Sequence, residues 1–97
     1  MKENPMSEPT VIDVPEQRRY EISVDGVRAG LAAYHDSGDQ RDFHHTEIDK
    51  AFGGQGLATK LIAFALADTQ AAGKRIVPSC SFVEAYVAKH PEYAGGR

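Results

Sequence analysis

The sequence predicts an α/β domain built on a mixed sheet, and three observations carry that prediction. Antiparallel pairing is signalled by Tyr20-Glu21-Ile22-Ser23-Val24, an alternating apolar and polar run that Asp25-Gly26 closes and Val27 to Tyr34 resumes. A helical period follows over Leu57 to Ala72, where Leu57, Leu61, Phe64 and Ala65 form one stripe that Ile62 and Leu66 widen. Three glycines stand directly before that helix, in Phe52-Gly53-Gly54-Gln55-Gly56-Leu57-Ala58, and a short strand-like run comes after it. The second half therefore reads as a βαβ unit, with parallel strands and a right-handed crossover.

Taken in order, Met1 to Glu16 holds prolines among charged and polar residues, with only Val11, Ile12 and Val14 able to pack, so a flexible tail is expected over 1–16 and one domain over 17–97. The hairpin follows, its Asp25-Gly26 turn suited to a two-residue connection. His35 to Asp39 is a second turn cluster, and Gln40 to Ile48 a third strand. Strict alternation puts Phe43, His45 and Glu47 on one face of it and Asp42, His44, Thr46 and Ile48 on the other. Neither face is cleanly apolar, which predicts that one of them meets a functional cleft. Gly73 ends the helix as a C′ residue, with Lys74 and Arg75 beside the negative end of its dipole. Arg75 to Cys80 is a short strand in which Pro78 removes a ladder donor, predicting a local splay that opens a slot toward Cys80. Ser81 is the expected cap of a last helix with Phe82, Val83, Tyr86 and Val87 as its apolar positions, and His90 before Pro91 ends it.

Composition narrows the function classes. At 97 residues the chain supports one small core. Eleven basic residues scattered against fourteen acidic ones, for a net charge of −3, give no field that would track a nucleic acid backbone. The apolar run Leu61 to Ala67 is too short to span a bilayer, and Met1 to Thr10 lacks the basic start and apolar stretch of a secretory signal, so no membrane partner is expected. The single cysteine, Cys80, excludes an internal disulfide framework and fits a reducing compartment, so a cytoplasmic location is expected. No metal site is expected, because no two of the four histidines lie at helical ligand spacing and Cys80 has no partner cysteine.

The glycine loop carries the first chemistry. Amides in a tight glycine turn can point inward unobstructed, and the helix N-terminus adds unsatisfied N–H groups and a positive dipole end, which suits a phosphate or pyrophosphate. Gly56 is followed by Leu57, so the loop is not a P-loop, and Gly54-x-Gly56-x-x-Thr59 lacks the third glycine of a dinucleotide fingerprint. The plain alternative is a tight connection and nothing more. Topology places the loop and Cys80 at the carboxyl ends of two parallel strands, the edge where open α/β sheets bind ligands.

Four segments, His45-Thr46-Glu47-Ile48, Phe52 to Ala58, Val77-Pro78-Ser79-Cys80-Ser81-Phe82-Val83 and His90-Pro91-Glu92-Tyr93, resemble the small single-domain GCN5-related N-acetyltransferase-like proteins over roughly Tyr20 to Tyr93. In that superfamily a Gln/Arg-x-x-Gly-x-Gly/Ala signature wraps the coenzyme A pyrophosphate. Gly56 and Ala58 match its last two fixed positions, whereas Gly53 stands where Gln or Arg is usual. The resemblance implies the acyl-CoA N-acyltransferase fold in a minimal version, with antiparallel hairpin strands, a parallel βαβ unit and a C-terminal helix. It implies acetyl-CoA as cofactor, held by Ile48, Gly53, Gly54, Gln55, Gly56, Leu57 and Ala58, and a small-molecule or protein amine as acceptor that attacks the thioester directly.

Within that frame, Glu47 is the candidate general base if it faces the cleft partly desolvated, against the reading of a surface carboxylate. Cys80 is the candidate acid for the departing thiolate or an acyl-accepting nucleophile, against the reading of a small buried hydrophobe. His44 and His45 lie on alternate faces, so at most one reaches the slot, and Tyr86, four residues from Phe82, reads as packing and not as a catalytic acid. Two function classes follow: an N-acetyltransferase, or a coenzyme A binding module without turnover. Larger relatives carry a further hairpin that walls the acceptor site, so a monomer or a weak homodimer supplying that wall is expected.

Overall fold

The computed structural model describes residues 8–54 and 56–94. Five strands form one sheet in the order β1 (Thr10–Val14), β2 (Arg19–Val24), β3 (Val27–Ser37), β4 (Gln40–Ile48) and β5 (Arg75–Val77). The first four pair antiparallel and β5 runs parallel to β4, joined to it by helix α1 (Leu57–Ala71); helix α2 (Ser81–Lys89) follows β5. The mixed sheet and the βαβ crossover are those the sequence predicts.

The first difference lies at the N-terminus. Thr10–Val14, expected within a flexible tail, is an edge strand paired with β2 from Thr10 opposite Ser23 to Val14 opposite Arg19. Pro9 and Pro15 flank this run without interrupting it, and flanking prolines are compatible with an edge strand. A tertiary bond also holds it, because the Tyr34 hydroxyl donates to Asp13 Oδ1 at 2.7 Å. The β2–β3 hairpin turns through Asp25 (φ 54°) and Gly26 (φ 79°), the two positive φ values that a two-residue turn requires.

β4 departs from strict alternation. Ala33 pairs with His45 but Tyr34 with Phe43, so His44 is an extra residue, a β-bulge. Below the bulge Arg41 and Phe43 face the helices; above it that role passes to Thr46 and Ile48. The expected grouping of Phe43 with His45 and Glu47 is therefore wrong. Tyr20, Ile22, Ala32, Tyr34 and Phe43 pack from the sheet against Leu57, Leu61, Ile62, Ala65 and Leu66 of α1 and Val83 and Val87 of α2. Phe64, expected in the α1 stripe, is 43% exposed and touches the core only edge-on against Tyr20, while Thr69 takes a buried place and bonds back to the Ala65 carbonyl.

The polar character of β4 has a structural source that the pattern does not show. The Arg41 side chain is 8% exposed, its Nε and Nη2 donate to both oxygens of Asp36 at 2.8 and 2.9 Å, and its Nη1 donates to the Tyr20 hydroxyl at 2.8 Å. Its guanidinium also lies 4.0 Å from the centre of the Tyr34 ring. Tyr20 in turn donates to Asp68 of α1 at 2.7 Å, so one network joins sheet to helix. The opposite sheet face carries no helix among the described residues; there Glu21, Leu31 and Glu47 form one row, and Arg19, Ala33 and His45 the next.

Candidate functional site

The site is built where β4 ends. The Asp49 amide donates to the Ala29 carbonyl at 2.7 Å, and the Asp49 carboxylate accepts from the Ala51 amide at 3.0 Å, which starts a single 3-10 turn over Lys50–Phe52. The glycines come next. Gly53 is extended (φ −65°), whereas Gly54 (φ 76°) and Gly56 (φ 72°) are left-handed, a conformation that L-residues resist. A Cβ on Gly54 or Gly56 would meet nothing within 4 Å, so backbone shape, and not crowding, requires glycine at both. Gly56 is the N-cap of α1 and brings no side chain to its first-turn amides, followed by buried Leu57 and half-buried Ala58. Gln55, expected among the loop residues that hold the cofactor, lies outside the described residues.

β5 differs from the expected Arg75–Cys80 strand. It stops at Val77 because Pro78 has no N–H to donate, so β4 and β5 pair only from Gln40 opposite Arg75 to Asp42 opposite Val77. The chain then touches β4 once more, where the Cys80 amide donates to the Phe43 carbonyl at 2.8 Å. From His44 to Ile48 the β5 side of β4 has no strand partner among the described residues; Cys80 reaches it at Thr46, and the open edge runs on from there to the glycine loop.

Cys80, not Ser81, is the N-cap of α2, and its half-buried Sγ lies 3.5 Å from Thr46 Oγ1. Burial pushes this thiol up, but the Thr46 hydroxyl and the nearby amides of Val83 and Phe82 outweigh burial and hold it below the ordinary thiol value. Neither amide caps onto the neutral thiol; their effect is on the thiolate. Glu47 is placed differently. Its side chain is 61% exposed, it accepts from or pairs with His45 Nε2 at 2.8 Å, and it points to the sheet face opposite Thr46. The desolvation on which its base role was expected to rest is absent, and the structure brings Cys80 together with Thr46 and not with Glu47. His44 is the exposed bulge residue, and Ile48 packs beside Gly30 on the helix side.

Two grooves border this edge. One of about 230 Å³ lies between α1 and α2, lined by Thr59, Phe82, Ala85, Tyr86, Lys89 and His90, with Tyr86 stacked on His90 at 4.1 Å. The other, of about 260 Å³, lies where β3 starts and β4 ends and includes Arg28, Leu31, Glu47 and Asp49. A model of the GCN5-related N-acetyl-transferase family matches residues 19–95. The chain belongs to that family. A solved relative by fold is a GCN5-like protein from Staphylococcus aureus, described as a candidate N-acetyltransferase, with a TM-score of 0.67 at 19% identity over 90% of this chain and 85% of that one. No curated protein matches the sequence. The GCN5-related domain thus has an acyltransferase-type fold, and no helix among its described residues is long and apolar enough to cross a membrane.

Sequence reasoning on this GCN5-related domain missed Thr46 and Arg28 as site residues. Thr46 was assigned to the face away from Phe43, and only the bulge at His44, which has no glycine to announce it, turns it toward Cys80. The groove residues Phe82, Tyr86, Lys89 and His90 do share helical spacing, a signal that core packing of α2 explains equally well.

Proposed function

We propose that this GCN5-related domain is an acetyl-CoA-dependent N-acetyltransferase acting on an amine. One observation carries the reading: the open edge of β4 from Thr46 to Ile48 leads from the Thr46–Cys80 pair at one end to the left-handed glycine loop at the other. A ligand with an anionic end, an extended amide-rich arm and a reactive sulfur fits such a strip. The amides of the Gly53 to Ala58 loop and the start of α1 would hold the pyrophosphate. Unpaired backbone groups of β4 would bind the arm by strand addition, and the α1–α2 groove, with its aromatic rings and Lys89, would take the nucleotide end.

Acetyl-CoA supplies the activated acyl group, a thioester carbon at which a C–N bond forms as the C–S bond breaks. Glu47 takes a proton from the acceptor ammonium at its carboxylate, on the open face of the sheet. Cys80 gives its proton to the leaving sulfur from the helix face and regains one from the acylated nitrogen or solvent. The lowered thiol makes this donation less costly at neutral pH. A second reading, a coenzyme A binding module without turnover, rests on the separation of Glu47 and Cys80 across β4. Loss of acetyl transfer in Glu47→Gln and Cys80→Ala supports the enzyme; full retention in both removes these assignments.

Calorimetric titration with acetyl-CoA, beside NAD and ATP, tests the cofactor. Selective binding by the wild type that Gly56→Asp abolishes is expected. Equal binding of all three, or none of acetyl-CoA, overturns the reading.

A further inference from the structure

The groove where β3 starts and β4 ends carries both signs of charge. Across its floor Leu31 pairs with Glu21 of β2 on one side and Glu47 of β4 on the other. Arg28, half exposed, reaches over this face to within 3.5 Å of Glu21 Oε2. That carboxylate is already held by Arg19 at 2.7 Å, so Arg28 is its looser partner and keeps donors for another anion. Glu47, 61% exposed, stands one strand away, and its only close partner among the described residues is the equally exposed His45. Neighbouring strands lie about 5 Å apart, so Glu47 and the Glu21 carboxylate that Arg28 approaches stand about 10 Å apart on either side of the apolar Leu31, with Arg28 anchored on the strand between them. An Arg can bind a carboxylate in two-pronged fashion, and a Glu can accept from an ammonium.

We infer that this groove binds an amino carboxylate, a small zwitterion whose carboxylate sits on Arg28 and whose ammonium sits on Glu47. This rests on the transferase reading, for which it names the acceptor class: the ammonium is the group to be acetylated, delivered from the open face of the sheet to the bare edge of β4. Arg28 is a specificity-determining residue in this scheme, since it touches the acceptor away from the reacting nitrogen. A cationic amine without a carboxylate leaves Arg28 to Glu21 alone and binds more weakly.

The test is a titration of the full chain, followed by amide chemical shifts, with L-alanine, L-alaninamide and ethylamine, each with and without saturating coenzyme A. L-alanine is expected to give saturable shifts at Leu31, Glu47 and Ile48, with L-alaninamide and ethylamine about 10-fold weaker or more, since a hydrogen-bonded charge pair is lost. Arg28→Gln is expected to remove the preference for L-alanine and Arg28→Lys to restore part of it, with the spectrum of each variant reporting its fold. Equal binding of the three amines, shifts elsewhere, or no shifts in either state overturns the inference. Coenzyme A shifts at Thr46 and Gly56 without any response to L-alanine leave the transferase reading standing and this one refuted; L-alanine shifts at the groove without any response to coenzyme A leave the binding groove standing and refute its role as an acceptor site.

Discussion

Gly30 sets the distance between β3 and the functional half of β4, and Gly30→Ala measures how tightly. Gly30 is buried and pairs with Ile48. A Cβ there would overlap Ile48 Cδ1, which a rotamer change can relieve, but it would also sit 2.6 Å from the Glu47 carbonyl oxygen. Ordinary contact begins near 3.4 Å, so the β4 backbone must retreat by about 0.8 Å. Overpacking of this kind costs roughly 1–3 kcal/mol. Gly30 has no positive φ to forbid alanine, so the substitution also stiffens the unfolded chain, which offsets about 0.4–1 kcal/mol. The expected net loss is about 1–2 kcal/mol, a large share of the roughly 5–15 kcal/mol stability of a domain this size. Urea unfolding should show a lower midpoint at unchanged slope, and amide shifts should concentrate at Glu47 to Asp49. Acetyl-CoA affinity should fall with them, because the bare edge moves. An unchanged or raised midpoint would falsify the argument that backbone contact at Glu47 requires this glycine.

Two further substitutions probe the network and the thiol. Arg41→Gln should cost about 2–4 kcal/mol by urea unfolding, below the ~3–5 kcal/mol of a fully buried pair because Asp36 is 38% exposed and water can take over part of its role. Hydrogen bonds from Arg41 hold the Asp36 carboxyl below its usual range, so the pair contributes stability above the unfolded carboxylate value of about 3.9 and loses it as pH falls through the lower folded value. The variant should therefore show a flatter acid limb between those two points, and an unaltered limb would count against the pairing. For Cys80, Thr46→Val removes the hydroxyl that favours the thiolate, so the pH midpoint of alkylation by iodoacetamide should move upward. An unmoved midpoint would mean that backbone amides, those of Phe82 and Val83 and that of Thr46 itself, hold the thiol without the hydroxyl.

The fold was legible wherever local chemistry decides. Asp25-Gly26 specifies its turn through two positive φ values, and Gly73 closes α1 as foreseen, with its amide on the Gln70 carbonyl at 2.9 Å and that of Lys74 on Thr69 at 3.1 Å. β4 was bounded correctly at Gln40–Ile48. What was not legible depends on partners far away in sequence. Asp13 becomes part of a strand because Tyr34 reaches it, and Arg41 is buried because Asp36, Tyr20 and the Tyr34 ring meet it from three sides. The mixed polarity of β4, read as a cleft face, was in part this internal network. For the site, the residues Glu47, Gly56 and Cys80 could be named from spacing and resemblance, but the face of Glu47, and with it the pairing of Cys80 with Thr46, could not, since that follows from one extra residue at His44.

That extra residue works as a frameshift in a code of period two. Everything after it is read in the other phase, so Thr46 and Ile48 fall inward and Glu47 outward. Removing His44 alone would take out the bulge and leave strict alternation from Phe43, with Thr46 and Ile48 still inward and Glu47 still outward. Loss of both His44 and His45 would set Thr46 directly after Phe43 and turn it outward, carrying the Glu47 carboxylate to the helix side and sending Ile48 into water. Loss of one residue at the bulge should therefore be tolerated better than loss of two.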